Sequence, residues 1–207
     1  MTQDAANIDK TLEGIGVRLR DERVKAGLSQ RELARRLGLS ASMISQLESG
    51  LSKPSVGTLY AIVTELDLSL DHVIRGEDFG NHDHAAPPPE ISPLVHPADR
   101  QAIDLDSGVR WEELAATAED DVDFLEAIYE VGGSSTSAES LMRHHGREYG
   151  YVMSGTLGIQ IDFEEYELTP GDSIAFDSTR PHRLFNKGDE PVRAIWFVVG
   201  RDADRRL

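Results

Sequence analysis

The spacing of apolar residues changes from a helical period to an alternating one near residue 100 of this 207-residue chain. Before that point apolar positions recur at helical spacing, as in Leu12, Ile15, Leu19 and Val24 of a first helix over residues 11–26, which predicts amphipathic helices. After it, short β-rich runs are separated by Gly, Asp and Pro, which predicts a sandwich or barrel. The candidate strands span residues 109–114, 122–131, 140–144, 149–153, 156–161, 173–176, 183–185 and 192–199. The chain therefore divides into an all-α domain and an all-β domain.

The segment LSQRELARRLGLSASMISQLESGLSKP, residues 28–54, predicts two short helices joined by a tight turn. Ser29 and Glu32 fit a capping box at the start of the first helix, and Ser40 fits the N-cap of the second. Gly38, between the helices, can adopt the left-handed conformation that such a turn needs. This arrangement is a helix-turn-helix, whose second helix can lie in the major groove of DNA.

Residues 12–75 resemble the XRE family, the group of phage-repressor and Cro-like DNA-binding domains. The resemblance is carried by GLSQRELA, GLSASMISQLESG and LDLSLDHV, in that order. It implies a five-helix, lambda-repressor-like domain that binds double-stranded operator DNA. It also implies that Arg23, which lies on the inward stripe four residues after Leu19, pairs with Glu48, because a buried arginine needs such a partner. A surface position for Arg23 is the alternative.

The exposed face of the second helix carries small and amide side chains, where a merely solvated face would carry charges. We expect this face to meet base edges, with Gln46 bonding adenine through two hydrogen bonds. We expect phosphate contacts from the start of the preceding helix and from a lysine beyond the second helix. The predicted DNA-binding residues are Gln30, Ala41, Ser42, Ser45, Gln46 and Lys53.

Four segments follow from these patterns. They are a disordered arm over residues 1–10, a helix-turn-helix domain over 11–75, a linker over 76–99 and a β domain over 100–207. Three consecutive prolines make the linker semi-rigid. Its His82 and His84 are spaced as metal ligands, but in a proline-rich connector a solvated pair is the more usual outcome.

Two fragments of the β domain carry chemistry: HHGREYGYVMSG, residues 144–155, and PGDSIAFDSTRPHRLFN, residues 170–186. Together they resemble the two signature motifs of the cupin family, a double-stranded β-helix barrel, and the resemblance spans about residues 100–200. It implies a set of side chains that point into the barrel around an effector or a metal ion. Carried over by position, that set is His144, Glu148 and His182.

The ligand set departs from the family pattern, because the position of the first motif histidine falls on Met142. His145 is no substitute, since it follows His144 in a strand and should point to the opposite side. Two histidines and one glutamate can still hold one divalent metal ion with open coordination positions. A metal-free barrel that binds an organic effector fits equally well, and Met142 and Phe185 are expected to line its apolar wall.

The formal net charge of -16 is concentrated in the β domain. Residues 1–77 carry 10 Lys and Arg against 11 Asp and Glu, whereas residues 78–207 carry 11 against 26. Because DNA is a polyanion, contact with it is assigned to the first half. The absence of cysteine excludes disulfides and thiolate metal sites. No run approaches the ~18 apolar residues of a membrane span, so we predict a soluble cytoplasmic protein.

The combination of an XRE-type domain with a cupin barrel resembles a class of bacterial ligand-responsive regulators. We therefore predict a sequence-specific transcriptional regulator whose cupin domain senses a small molecule or a metal. One helix-turn-helix reads only a few base pairs, which favours a homodimer. The alternative is a metal-dependent enzyme, an oxygenase or isomerase, with an accessory helical domain. The missing fourth ligand argues against that alternative, and no catalytic residue is assigned.

Overall fold

The computed structural model describes residues 3–68, 70–75, 92–117 and 122–200. The helices are α1 (Gln3–Lys25), α2 (Gln30–Leu37), α3 (Ala41–Glu48), α4 (Val56–Glu65) and α5 (Leu70–Arg75), and a short 3-10 helix spans Pro97–Asp99. The strands are β1 (Ala102–Leu105), β2 (Val109–Glu113), β3 (Val122–Tyr129), β4 (Arg147–Ser154), β5 (Leu157–Ile161), β6 (Glu164–Leu168), β7 (Ser173–Asp177), β8 (His182–Asn186) and β9 (Val192–Val199). Among these residues, none of the helices has the length and apolar character needed to cross a bilayer.

Helix α1 differs from its prediction in two respects, the residue at which it begins and the exposure of Val24. It begins at Gln3, so residues 3–10 continue the helix where we expected a disordered arm. Ile15 and Leu19 are buried as expected, but Val24 is 57% exposed. The reason is the spacing of four residues, which carries the inward stripe from Leu19 to Arg23 and turns Val24 toward solvent.

Serine side chains cap three of the helices. Ser29, Ser40 and Ser55 each accept a hydrogen bond from the backbone N–H three residues later, at 3.1, 3.1 and 3.2 Å. Gly38 ends α2 with a φ of 68°, the left-handed value that glycine adopts without strain. The reciprocal half of the predicted capping box is absent, because the Glu32 carboxylate pairs with Arg35 and Arg36 instead.

The β domain consists of two antiparallel sheets. The larger has the order β1-β2-β3-β9-β4-β7, and the smaller has the order β6-β5-β8. Hydrogen bonds among the described residues do not join them into the single closed barrel that we predicted. The segment predicted as a strand over residues 140–144 makes only an isolated bridge from Met142 to His182. Strands β1 and β6 are present in addition to the predicted ones.

Strand β4 separates the two faces of the larger sheet. Glu148, Gly150 and Val152 point inward and are buried, while Tyr149 and Tyr151 point outward and are exposed. Gly150 is required here, because a Cβ at that position would lie 2.0 Å from the ring of Trp196 on the neighbouring strand β9. The absence of a side chain at Gly150 thus makes room for the indole beside Glu148.

The two domains are in direct contact. The N–H of Gly57, in the first turn of α4, donates to the carbonyl of Ser135 at 3.0 Å. The N–H of Asp106, in the β1–β2 turn, donates to the carbonyl of Pro54 at 3.1 Å. The N-terminal end of α4 therefore lies against the β domain. The predicted linker falls largely outside the described residues, as do His82 and His84.

Candidate functional site

The recognition face predicted on α3 is available to a partner. Ser42, Ser45 and Gln46 are exposed, as the sequence pattern suggested. Ala41 differs, because it is partly buried and packs against the hydrophobic core. Met43 is 42% exposed on the same helix. The helical pattern had not singled it out as a surface residue.

The two residues predicted to contact phosphate, Gln30 and Lys53, are both partly buried. The amide nitrogen of Gln30 donates to Oε2 of Glu48 at 2.8 Å, and the same carboxylate holds Arg23. Gln30 therefore takes part in an internal network of the helical domain. Its contact with phosphate and that of Lys53 remain predictions.

The structure brings together the three residues predicted in the β domain. His144 lies just before β4, Glu148 is in β4 and His182 begins β8, and all three are buried. Oε1 of Glu148 is 2.9 Å from Nε2 of His144 and 3.0 Å from Nε2 of His182. One possible ligand atom from each residue lies within 4.8 Å of the other two. His145, by contrast, is exposed, as predicted.

The other ring nitrogens fix the orientation of both histidines. Nδ1 of His144 donates to the carbonyl of His145 at 3.0 Å, and Nδ1 of His182 donates to that of Arg180 at 2.8 Å. In the neutral rings Nε2 then carries a lone pair directed at Glu148. None of the three converging atoms makes a well-aligned hydrogen bond. Such a set of acceptors needs a cation or a protonated imidazole at its centre, and it fits a divalent metal ion.

The surroundings keep Glu148 ionised. Its second oxygen, Oε2, accepts a hydrogen bond of 2.7 Å from the indole N–H of Trp196. Burial by itself would raise the pKa of Glu148, but the short contacts that His144 and His182 make with its carboxylate outweigh burial and hold that pKa well below its usual range. Burial alone would lower the pKa of His182, yet its short contact with the negative carboxylate of Glu148 outweighs burial and raises that pKa. The negative carboxylate thus favours a positive charge beside it.

A small cavity adjoins these groups, with a volume of about 20 Å³. Its lining includes Met142, as predicted, but Phe185 is on the opposite face of β8 and its ring packs beneath the guanidinium of Arg183. The strand alternation instead directs Leu184 into the cavity. The cavity is lined by Val56, Tyr60, Trp111, Leu125, Ala127, Tyr129, Ser135, Met142, Glu148, Leu184 and Trp196.

Two of the lining residues, Val56 and Tyr60, belong to α4 of the helical domain. The Tyr60 ring stacks on the His144 ring with 4.4 Å between centroids and an interplanar angle of 5°. It also meets Trp111 edge-on at 5.6 Å. Tyr60, Trp111 and Trp196 were not predicted to lie at this site. Trp196 had a usable signal, since it occupies an inward position of the alternating strand β9.

Comparison with known proteins agrees with both halves of the fold. Residues 19–73 match the family described as "Helix-turn-helix", and residues 126–198 match the family described as "Cupin domain". The chain is a helix-turn-helix protein with a cupin domain. Both resemblances seen in the sequence are thereby confirmed.

Relatives of this helix-turn-helix–cupin protein match it along most of its length. It is 28% identical over 180 residues to "HTH-type transcriptional regulator PuuR" of Escherichia coli, covering 87% of this chain and 91% of that protein. It is 25% identical over 175 residues to "HTH-type transcriptional regulator SutR" of the same species, covering 84% and 88%. A solved Vibrio cholerae structure, described as an HTH_3 family transcriptional regulator, shares its fold with a TM-score of 0.64, at 24% identity and over 92% of this chain and 97% of that one.

Proposed function

We propose that this protein is a sequence-specific transcriptional regulator whose cupin domain senses an effector. The observation that carries the proposal is the exposed face of α3, where Ser42, Ser45 and Gln46 stand clear of the core. Small and amide side chains on a surface helix suit hydrogen bonding to base edges. The two Escherichia coli relatives, both named as transcriptional regulators and matched over both domains, support this assignment.

The cupin site is assigned to sensing, with a divalent cation as the group that its donor set suits best. Three acceptor atoms converge from His144, Glu148 and His182, and the carboxylate is ionised. A bound cation would supply the positive charge that balances Glu148. Trp196 would keep the carboxylate oriented, since its N–H occupies the other oxygen.

The enzymatic alternative is less well supported by the same site. The position of the first motif histidine is occupied by Met142, so only three ligands of the family type are present. The adjoining cavity of about 20 Å³ compares with roughly 300–1,000 Å³ for pockets that bind small molecules. While α4 supplies part of the cavity wall, a substrate would therefore have no room beside the three ligands.

The outer face of the larger sheet supports a homodimer. Phe124 and Phe197 stack there with 4.3 Å between ring centroids. Next to them on β4, Tyr149 and Tyr151 are 43% and 49% exposed, and Tyr149 is registered with Phe197. A row of exposed aromatic and aliphatic side chains on one sheet face is typical of an interface. An operator with two half-sites binds two helix-turn-helix domains, so the partner at this interface is a second copy of this chain.

The experiment that tests the DNA-binding role starts from sequences selected in vitro from random duplex DNA by the full-length protein. Gln46→Ala should lose about 1–3 kcal/mol of discrimination at one base position. Gln101→Ala, an exposed glutamine of the β domain, is the matched control and should bind as the unmodified protein does. If Gln46→Ala retains both affinity and base preference, the assignment of the recognition face is wrong.

A further inference from the structure

The helical domain supplies part of the wall of the cupin cavity. Val56 and Tyr60, one turn apart on α4, form part of the cavity wall. Tyr60 is only 5% exposed, and its ring lies flat on His144, one of the three converging site residues. A side chain of the helical domain is thus in direct contact with the sensing site.

Backbone hydrogen bonds hold α4 in this position. The first-turn N–H groups of a helix have no partner within the helix, and that of Gly57 finds one in the carbonyl of Ser135 on the β domain. A second bond runs from the N–H of Asp106 to the carbonyl of Pro54. We refer to Pro54, Val56, Gly57 and Tyr60 as the docking surface.

The size of the cavity limits what can bind while the docking surface is in place. A volume of about 20 Å³ accommodates roughly one water molecule or an ion. An organic effector needs more space, and the Tyr60 ring occupies the place next to His144. Such an effector can therefore reach the three site residues only if the Tyr60 ring leaves.

We propose that the docking surface is a plug for the cupin pocket, and that a small organic effector and α4 compete for the same space. The proposal rests on the sensing role assigned above and adds to it: a cation fits the three converging residues with α4 in place, whereas an organic effector would take the space of the Tyr60 ring beside them. In the docked arrangement the recognition face of α3 is exposed, so docking is compatible with DNA binding. Release of α4 removes the fixed orientation of the recognition helix on the β domain. In a dimer, the affinity for two correctly spaced half-sites then falls.

Two substitutions outside the three site residues test the plug: the first should separate α4 from the β domain, and the second should restore the contact. In Gly57→Ala the added Cβ would lie 2.6 Å from Cγ2 of Thr136, which forces the domains apart, whereas alanine itself favours the helix. Thr136→Ser removes that methyl group and keeps the hydroxyl, so the double variant should close again. The control is Gly14→Ala in α1, where the nearest atoms belong to the guanidinium of Arg18.

The readout requires no knowledge of the effector. The chain has two tryptophans, Trp111 and Trp196, and both line the cavity under the plug. Quenching of their fluorescence by acrylamide therefore reports on access to the pocket. We expect the Stern–Volmer constant to rise by about twofold or more in Gly57→Ala, as the equilibrium shifts to the open arrangement. It should return to the original value in Gly57→Ala/Thr136→Ser and stay unchanged in Gly14→Ala.

Tyr60→Ala provides a second route, because it removes the ring while leaving the backbone contacts in place. It should also raise quenching, and if it does not fold, the Gly57 and Thr136 variants decide the matter. Equal quenching of Gly57→Ala and the unmodified protein would overturn the plug.

DNA binding separates this inference from the proposed function. Gly57→Ala should weaken binding to selected DNA with two half-sites by about fivefold or more, the scale of allosteric coupling, and leave binding to a single half-site unchanged. If acrylamide quenching changes as expected but the protein shows no sequence-specific DNA binding, the regulatory function is refuted and the plug is retained. If the protein binds DNA specifically but neither DNA binding nor quenching changes in any variant, the regulatory function is retained and the plug is refuted.

Discussion

Arg23 donates two hydrogen bonds to the carboxylate of Glu48, at 2.5 Å from Nε to Oε1 and 3.0 Å from Nη2 to Oε2. Both side chains are buried, and Nη1 of Arg23 also donates to the carbonyl of Leu28 at 2.6 Å. The pair joins the end of α1 to the end of α3. It confirms the pairing predicted from the sequence and fixes the recognition helix against the first helix.

Removal of one member of this pair should destabilise the helical domain. Glu48→Ala leaves a buried guanidinium without its counter-ion, which costs about 3–5 kcal/mol. Urea unfolding followed by far-UV circular dichroism measures the loss. Glu32→Ala is the control, because Glu32 pairs with Arg35 and Arg36 at the exposed surface and should change stability far less. A Glu48→Ala protein as stable as the original would contradict a structural role.

Lys53 is expected to contact a phosphate group. Lys53→Ala should weaken binding to all DNA sequences by a similar factor and lower the salt dependence of the affinity by about one unit of slope. Titrations at several salt concentrations test this. Lys187→Ala is the control, since Lys187 pairs with Glu165 and Glu167 on the β domain. A change in base preference for Lys53→Ala would show that Lys53 reads bases instead.

The cupin site is expected to hold one divalent cation per chain when the protein is purified without chelators. Elemental analysis of His182→Ala should then show no bound metal. Trp196→Phe should weaken metal binding by about 10–100-fold, because it removes the hydrogen bond that orients Glu148. Trp111→Phe is the control, since it lines the same cavity without supplying that bond. Equal metal content in the original protein and His182→Ala would eliminate this site as the ligand set.

The aromatic face of the larger sheet is expected to hold two copies together. Tyr149→Asp combined with Tyr151→Asp places charge in the apolar centre of the face, and the dimer should dissociate at micromolar concentration. Sedimentation velocity distinguishes the two states. Phe163→Asp replaces an apolar residue that is fully exposed in the β5–β6 turn and should remain dimeric. A doubly substituted protein that still sediments as a dimer would place the interface elsewhere.

Local signals in the sequence predicted the helix caps, because each cap depends on a few neighbouring positions, and Ser29 and Ser40 cap their helices as expected. The cupin motifs predicted that three residues of the β domain converge, as they do, while the roles assigned to them stay predictions. Tyr60 was beyond such reasoning. It lies four residues after Val56 on an apolar helical stripe, so it resembles a core residue of its own domain. Its contact with His144 depends on how two separately folded domains meet.

The remaining differences concern the two faces of strand β8, which were exchanged in the prediction, and strand β6, whose composition does not predict a strand. Phe185 and Leu184 are adjacent in β8, and a shift of one residue exchanges the inward and outward faces of a strand. The sequence of β6, EEYEL, lacks the alternation of a half-buried strand, because four of its five residues are exposed. It forms a strand through its pairing with β5, which no local pattern reveals.

Strand β6 is one of the two outer strands of the smaller sheet, and its composition disfavours the addition of another chain at that edge. The free backbone groups of an outer strand are a template on which another chain can add, and charged side chains are a common defence. Three of the five residues of β6 are glutamates. Two copies of this strand would bring six carboxylates together, and Lys187 of each chain, which pairs with Glu165 and Glu167, offsets only part of that charge. The β6 edge of the sheet is therefore a poor template for fibril growth.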